Sequence, residues 1–318
     1  MPRYITLGNA TIDHVITADG RDMPMQFGGD CIYAAMGIRL WCLDVGIVTI
    51  VGADYPQGWI ESLSAAGMDV GGIKHISRPH RMSGAMVYDE HGSRHAGLSK
   101  PLPSQLSPEE AAAQKLASWY ELSPQASDIP EAYFSSKGAH LAPMPVERQA
   151  DTLTALHGRV GVITLDPPWW LEDQRPGQFA DLTLLNAVLP SEAEIEGHLG
   201  HVTPEEGAQE LAQEGARLVV VKLGAQGSLV YDAAKQSCSH VGVYPSAVVD
   251  PTGAGDAFCG GFLVGLDETG DPWQAALYGT VSSSFIIEGF GAQYSLQFTR
   301  ADAQQRLDYL RSQVHHWR

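Results

Sequence analysis

The sequence contains few cysteines and few basic residues for its length. Its 318 residues include four cysteines, at scattered positions and without a Cys-x-x-Cys spacing, so a reduced cytoplasmic protein is the simplest interpretation. Lysine and arginine number 20 against 37 aspartates and glutamates, and the formal net charge is −17. This balance argues against nucleic acid and anionic membranes as partners. Any site for an anion must therefore be built locally, from helix ends, a few cations and metal ions.

Long hydrophobic runs are also missing, although 44% of the residues are hydrophobic. No apolar segment approaches the ~20 residues that a membrane-spanning helix needs. The N-terminus leads directly into a strand-like segment and has no signal-peptide pattern. We find no internal repeat and no low-complexity tract. These features predict a globular cytoplasmic protein with a sizeable core, built as one large α/β domain or two smaller ones.

Apolar segments of strand length alternate with segments of helical periodicity along most of the chain. Strands are predicted over 4–7, 45–51, 160–165, 182–185 and 218–223. Helices are predicted over 32–40, 59–66, 146–156, 204–214 and 273–287, with a further helix capped by Ser107 and another over 302–318. This alternation is typical of a mostly parallel sheet covered on both faces. Ligands of such sheets bind at the carboxyl ends of the strands.

Two segments, 15–26 and 77–97, interrupt this alternation. Both lack helical periodicity and contain turn-forming residues, including Asp-Glu-His-Gly at 89–92. We expect them to pair as a small sheet over the strand ends.

The most informative segment is 250–261, Asp-Pro-Thr-Gly-Ala-Gly-Asp-Ala-Phe-Cys-Gly-Gly. It follows an apolar run and leads into apolar residues at helical spacing, so a glycine-rich turn opens a helix with Asp256 in its first turn. The first amides of a helix lack internal partners and carry partial positive charge, which suits a phosphate or a developing anion. The aspartate is a candidate base for a hydroxyl held beside that anion. This combination indicates phosphoryl transfer to an alcohol.

The same segment resembles the second signature of the PfkB (ribokinase-like) carbohydrate kinases, and the resemblance extends from Gly8 to Ser295. It implies an α/β fold, a ribokinase-like three-layer α/β/α arrangement with a mostly parallel central sheet and a small β lid. It also implies one kinase domain over 1–318, with lid segments at about 15–26 and 77–97. Such a kinase would transfer the γ-phosphoryl group of ATP, with Mg²⁺, to a sugar hydroxyl. Asp256 would be the base, and the amides of Gly253, Ala254 and Gly255 would form the anion hole.

Two N-terminal segments resemble the part of these kinases that binds the sugar. Asp13 follows the first strand, and a carboxylate can accept hydrogen bonds from two sugar hydroxyls. Gly28, Gly29 and Asp30 match a paired-glycine segment that lets the backbone approach the sugar. Tyr33 stands where the family usually has asparagine, so the resemblance leaves the identity of the sugar open; this ring also suits a helix residue packed in the core.

Two later segments resemble the nucleotide side of the family's site. Glu194 matches a glutamate that helps place Mg²⁺ through water, whereas Ser191 replaces the asparagine that accompanies it. Lys222 suits either a phosphate contact or a surface position at a strand end. Gly224 and Gly227 would let the backbone lie against the ribose and phosphates.

A monovalent cation site is the last feature that the resemblance implies. Gly291 and Ser295 belong to a loop that, in many of these kinases, joins the Asp-x-Thr of the main motif around K⁺. In this chain the motif residues are Asp250 and Thr252, and Thr252 would also lie on the ATP side.

Three alternatives remain open. A nucleoside kinase of the same fold would use Tyr33, Trp41 and Met82 to stack a base, although these residues also suit the core. A non-catalytic sugar-binding regulatory protein is disfavoured by the intact Asp256 turn. A nicotinamide dehydrogenase needs Gly-x-Gly-x-x-Gly after the first strand, which Gly8-Asn-Ala-Thr does not supply. The short segment between Asp13 and Gly28 predicts a small lid, which leaves a lid-mediated homodimer open.

Overall fold

The computed structural model describes residues 1–89, 107–168 and 180–313. Within these residues nine strands form one large sheet, in the order β12-β11-β10-β9-β8-β7-β1-β4-β5, and three strands form a small sheet, in the order β3-β2-β6. The strands are β1 (Tyr4–Leu7), β2 (Thr11–Ile16), β3 (Asp22–Gly28), β4 (Val45–Val51), β5 (Asp69–His75), β6 (Ser83–Val87), β7 (Gly138–Leu141), β8 (Val162–Leu165), β9 (Ala187–Val188), β10 (Leu218–Lys222), β11 (Ser228–Asp232) and β12 (Ser237–Val241).

The large sheet is parallel except at one edge. β1 pairs in parallel with both β4 and β7, with Tyr4 opposite Val45 and Gly138, and β7, β8, β9 and β10 continue the parallel order. The hairpin β11–β12 adds two antiparallel strands beyond β10. Every residue of β4 is buried, as expected for a strand covered on both faces. The predicted mostly parallel sheet is therefore confirmed.

Helices cover both faces of the large sheet. They are α1 (Asp30–Arg39), α2 (Gln57–Ala65), α3 (Pro108–Leu122), α4 (Val146–Leu156), α5 (Glu192–Leu199), α6 (Pro204–Gln213), α7 (Ala254–Thr269), α8 (Pro272–Ile286) and α9 (Arg300–Ser312). Side chains of α1, α7, α8 and α9 share one hydrophobic cluster with Tyr4, whereas those of α4, α5 and α6 share another with Ile5. Successive strand residues point to opposite faces, so the sheet separates two layers of core.

The small sheet lies beside the motif turn of residues 250–256. β2 pairs antiparallel with β3 and parallel with β6. The predicted lid segment 15–26 falls on β2 and β3. Of the predicted segment 77–97, β6 and residues up to 89 are described, and 90–97 lie outside the described residues. The Tyr88 hydroxyl lies 2.9 Å from Thr252 Oγ1, so the end of β6 contacts the motif turn directly.

One prediction about local structure is wrong. The strand expected over 182–185 is a 3-10 helix, Leu182–Leu184, because the Asp181 side chain accepts a hydrogen bond from Thr183 N and turns the chain; β9 follows it. Just before α2, Asp54 Oδ1 accepts a hydrogen bond from His80 N at 2.5 Å, and Pro56 is the N-cap residue of the helix. Among the described residues, every helix is too short or too polar to span a bilayer.

Candidate active site

The turn before α7 lies at the carboxyl ends of the parallel strands. Gly253 is the N-cap of α7 and has a left-handed backbone, with φ of 77°. Ala254 N donates to Pro251 O at 3.2 Å, so this amide takes part in the turn itself. Within the described residues we find no such bond from the amides of Gly253 and Gly255. These two amides, and that of Asp256 at the next position, are the ones that the helix start leaves for an anion.

Tyr33 packs its ring directly against Gly253. A Cβ atom at Gly253 would lie 2.1 Å from Tyr33 Cγ, so only glycine fits beneath this ring. The side chain is 2% exposed, and its hydroxyl has no hydrogen-bond partner among the described residues. Burial, followed by the nearby charges of Asp13 and Asp250, raises the pKa of Tyr33. The tyrosine that replaces the usual asparagine therefore covers the turn that was predicted to bind an anion.

Three aspartates surround this turn. Asp13 is buried, and its Oδ1 accepts a hydrogen bond from Thr11 Oγ1 at 2.7 Å. Asp30 lies in the first turn of α1, and Asp256 in the first turn of α7. Burial raises the pKa of Asp256 well above its usual range, the charge of Asp30 raises it further, and Lys222 opposes both effects. The site thus holds a carboxylate with increased basicity among other carboxylates.

The paired glycines are required by close contacts. A Cβ at Gly28 would lie 1.8 Å from Asp13 Oδ2, and one at Gly29 would lie 2.5 Å from Asn9 O. Gly29 also has a φ of 112° and is the N-cap of α1. These glycines therefore bring the start of α1 against the end of β1 and leave room for the Asp13 carboxylate.

Lys222 is not the surface residue that its position in the sequence allowed. At the end of β10 its Nζ forms an ion pair with Asp166 Oδ2, and the two side chains are 12% and 2% exposed. Burial disfavours the ammonium form, but the Asp166 carboxylate and other nearby acidic groups hold the pKa of Lys222 above its usual range. Asp166 was not among the predicted site residues, although its position directly after β8 was a usable signal.

Glu194 and Ser191 form a capping box at the start of α5. Ser191 N donates to Glu194 Oε2 at 2.5 Å, and Glu194 N donates to Ser191 Oγ at 3.3 Å. The Ser-x-x-Glu spacing is itself a capping-box signal that sequence reasoning passed over. Ser191 bridges to Lys222 of β10, so the buried Glu194 does lie near the strand ends.

The two glycines that were predicted on the nucleotide side, Gly224 and Gly227, have different surroundings. Gly224 is exposed, and a Cβ there would meet nothing within 4 Å. A Cβ at Gly227 would lie 2.0 Å from Val241 O, so the β11–β12 hairpin already accounts for this glycine.

Asp250 and Thr252 are brought together as the motif predicted. Thr252 N and Oγ1 donate to Asp250 Oδ1 at 3.0 and 2.6 Å. Asp250 Oδ2 is buried and has no partner among the described residues. Ser295, also buried, donates its hydroxyl to Ala292 O at 2.9 Å, and Gly291 lies next to Phe27. The unpartnered carboxylate oxygen fits a cation ligand.

The proposed base-stacking role of Trp41 is wrong. Its ring is 1% exposed in the core, Nε1 donates to Ser282 Oγ at 2.9 Å, and the ring contacts Tyr278 at a centroid distance of 4.2 Å. Sequence reasoning also missed Tyr55. This side chain is 5% exposed, its hydroxyl has no partner among the described residues, and burial, followed by the nearby Cys31 and Asp13, raises the pKa of Tyr55 above its usual range.

The chain is similar to several known proteins. The family model "pfkB family carbohydrate kinase" matches residues 1–299. The chain is 32% identical to the cytidine kinase of Thermococcus kodakarensis over 82% of this chain and 87% of that protein. It is 28% identical to a 5-dehydro-2-deoxygluconokinase of Shouchella clausii over 89% of each.

Solved structures show the same fold. The nucleoside kinase of Methanocaldococcus jannaschii matches 96% of this chain and 98% of that protein, with a TM-score of 0.70 at 19% identity. The ribokinase of Giardia lamblia matches 97% of this chain and 100% of that protein, with a TM-score of 0.73 at 16% identity. The predicted three-layer α/β/α arrangement with a small additional sheet is confirmed.

Proposed function

Because this chain belongs to the pfkB family of carbohydrate kinases, we propose that the turn around Asp256 is where it phosphorylates its substrate. The protein is an ATP-dependent phosphotransferase that acts on a sugar or sugar derivative. The observation that carries the assignment is the Asp256 carboxylate in the first turn of α7, next to the amides of Gly253 and Gly255. A base and an anion site within one turn suit transfer to a hydroxyl.

Asp256 is the proposed base. Its raised pKa makes it a stronger proton acceptor than an ordinary aspartate, and a base is most effective when its pKa is near the working pH. Phosphoryl transfer depends mainly on positioning and charge stabilisation, so moderate basicity is enough. The proton of the attacking hydroxyl would pass to Asp256 as its oxygen bonds to the γ-phosphorus of ATP, while the bond from that phosphorus to the bridging oxygen breaks and ADP leaves.

The transferring phosphoryl group would lie against the start of α7. The amides of Gly253 and Gly255 face it, with Ala254 contributing less because its amide already donates to Pro251 O. The Lys222 ammonium lies beside Gly255: a Cβ at that residue would be 3.6 Å from Nζ. In a strongly acidic protein, this cation and the helix start supply positive charge where the reaction needs it.

Two metal ions fit the residues present. Mg²⁺ would neutralise charge on the ATP phosphates; Glu194 would act through water with the carboxylate oxygen that its capping box leaves free. A monovalent cation such as K⁺ would take the unpartnered Asp250 Oδ2, with oxygens of Thr252, Gly291 and Ser295 as the further ligands that the family resemblance implies. Cytoplasmic location and a homodimer through the small sheet stay predictions.

The sugar would lie between Asp13, Asp30 and Asp256. Gly28 and Gly29 give it access to the backbone, and the Asp13 carboxylate would accept bonds from its hydroxyls. The buried hydroxyls of Tyr33 and Tyr55 have no partner among the described residues. Since an unsatisfied buried hydroxyl costs about 1–3 kcal/mol, a substrate rich in hydroxyls would supply the missing partners.

A riboside is the second candidate for the substrate. The cytidine kinase of Thermococcus kodakarensis covers 82% of this chain, and a riboside presents the same sugar hydroxyls to Asp13 and Asp256. Of the residues considered for stacking a base, Trp41 lies in the core, whereas Met82 is partly exposed. A base would extend from the sugar towards the small sheet.

The test is a substrate panel. ADP release is measured with Mg·ATP and K⁺ against pentoses, hexoses, sugar acids and ribonucleosides, and the phosphorylated carbon is assigned by NMR. Turnover with one sugar class supports the main proposal, and turnover confined to ribonucleosides supports the second. No ADP above background, together with thermal stabilisation by a sugar, would support a non-catalytic binding protein instead.

A further inference from the structure

A buried ion pair lies under the anion-binding turn. Asp166 follows β8 and Lys222 ends β10, and their side chains are paired at the carboxyl edge of the sheet. Cys259, one turn beyond Asp256 on α7, brings its Sγ to 3.6 Å from the same Asp166 oxygen and 3.8 Å from Lys222 Nζ. Burial raises the pKa of the Cys259 thiol, so the thiol stays protonated and donates a hydrogen bond to Asp166 Oδ2. One carboxylate oxygen thus links β8, β10 and α7.

The ion pair with Asp166 determines the position of the Lys222 ammonium group. A lysine side chain has four rotatable bonds and, when unpaired, takes many positions. Here Nζ is held close to Gly255. The only carboxylate with a hydrogen bond to this ammonium among the described residues is that of Asp166. A carboxylate at this position therefore fixes both the direction of the Lys222 side chain and the position of its ammonium group.

We propose that Asp166 is a positioning residue for phosphoryl transfer, which holds the Lys222 ammonium beside the amides that receive the transferred group. The inference rests on the proposed location of the active site at the start of α7. In this role Asp166 would not need to contact either substrate. Its carboxylate acts through Lys222 and, by the thiol contact, through the orientation of α7.

Stability alone does not explain this ion pair, because a buried pair gains little over apolar residues of the same volume. Its value is then geometric: a charge held in the correct place does not have to reorganise during the reaction. Displacement of a catalytic group by about 1 Å can lower turnover by about a hundred-fold.

The experiment compares Asp166→Asn, Lys222→Met and the double variant. Asparagine keeps the size of the side chain and an acceptor oxygen but removes the charge. We expect kcat of Asp166→Asn to fall about ten- to a hundred-fold, whereas KM for Mg·ATP does not rise, because the site has lost a negative charge. In the Lys222→Met background, the same change at Asp166 should have no further effect on kcat. Asp232→Asn is the matched control, since Asp232 pairs with Lys235 at 2.8 Å on the surface and should leave kcat unchanged.

Thermal unfolding of each variant separates positioning from folding. Wild-type kcat in Asp166→Asn, or an equal loss of kcat in the presence and absence of Lys222, would overturn the proposal. A rise in KM for Mg·ATP that accompanies a lowered Tm would assign Asp166 a structural role and also overturn it. The failure of the proposed function looks different, because the wild-type protein would then release no ADP with any substrate.

Discussion

Replacement of the candidate base should stabilise the ligand-free protein while it removes activity. The pKa of Asp256 is raised by the carboxylates of Asp30, Glu194 and Asp13 and lowered by Lys222. Burial and these neighbours raise the pKa of Asp256 well above its usual range. Ionisation of Asp256 in the folded protein therefore has a free-energy cost that the unfolded chain lacks. Asp256→Asn removes this cost and keeps the shape of the side chain.

The sign and size of the effect follow from linkage. A raised pKa means that the folded state binds the proton more tightly, so this contribution to stability is complete below the unfolded pKa of about 3.9 and is lost as pH rises through the folded pKa. The advantage of Asp256→Asn over the wild type should therefore grow from acidic to alkaline pH. Each unit of pKa difference corresponds to about 1.4 kcal/mol, so the free energy of unfolding of Asp256→Asn should exceed that of the wild type by more at pH 8 than at pH 5.

Urea unfolding at pH 5 and pH 8, without sugar or nucleotide, measures this difference. Asp302→Asn is a control of opposite sign: the hydrogen bond from Thr299 lowers the pKa of Asp302, so its replacement should cost stability about equally at pH 5 and pH 8, which both lie above the ordinary aspartate pKa of about 3.9. Equal or lower stability of Asp256→Asn at pH 8, or a difference independent of pH, would refute the charge arrangement described for the site.

Three further variants test other parts of the site. Gly253→Ala should abolish activity and destabilise the fold, since its Cβ would meet Tyr33 Cγ at 2.1 Å. In a Tyr33→Ala background, the loss of stability that Gly253→Ala adds should shrink to the cost of a left-handed backbone, about 1–2 kcal/mol. An equal loss of stability in both backgrounds would contradict the contact between Tyr33 and Gly253. Ser191→Asn should preserve stability, because asparagine caps a helix as well as serine, and should shift the Mg²⁺ dependence of kcat; an unchanged Mg²⁺ profile would remove this segment from the metal site. Tyr55→Phe should raise the KM for the sugar without lowering Tm, and an unaltered KM would place its hydroxyl outside the sugar site.

Regular elements with a strong local pattern were predictable from the sequence. The strand over 45–51 and the helix over 146–156 have the predicted bounds, the first because both of its faces are buried and the second because Pro145 precedes it. The strand over 182–185 was not predictable in this way, since a short apolar run suits a strand and a 3-10 turn equally. The Asp181 side chain decided between them. The edge strand β12 is mostly exposed and so lacks the apolar signal on which the other strands were predicted.

In the candidate site, too, the local features were predictable from the sequence and the long-range contacts were not. The turn at 250–256 was predictable because glycines, a proline and a helix start lie within a few residues of one another. The partner of Lys222 was not, since Asp166 is 56 residues away and reaches it only through the order of the strands. The contact between Tyr33 and Gly253 likewise depends on how α1 packs against α7. Long-range packing thus supplies the part of the site that a single sequence does not contain.

The central claim is that Asp256 activates a substrate hydroxyl for attack on ATP, and a comparison of ADP release by the wild type and Asp256→Asn tests it most directly. The measurement uses the best substrate of the panel with saturating Mg·ATP, and isothermal titration determines ATP binding for both proteins. The account predicts a loss in kcat of about a hundred- to ten-thousand-fold with nearly unchanged ATP affinity. Turnover near the wild-type rate in Asp256→Asn would contradict it.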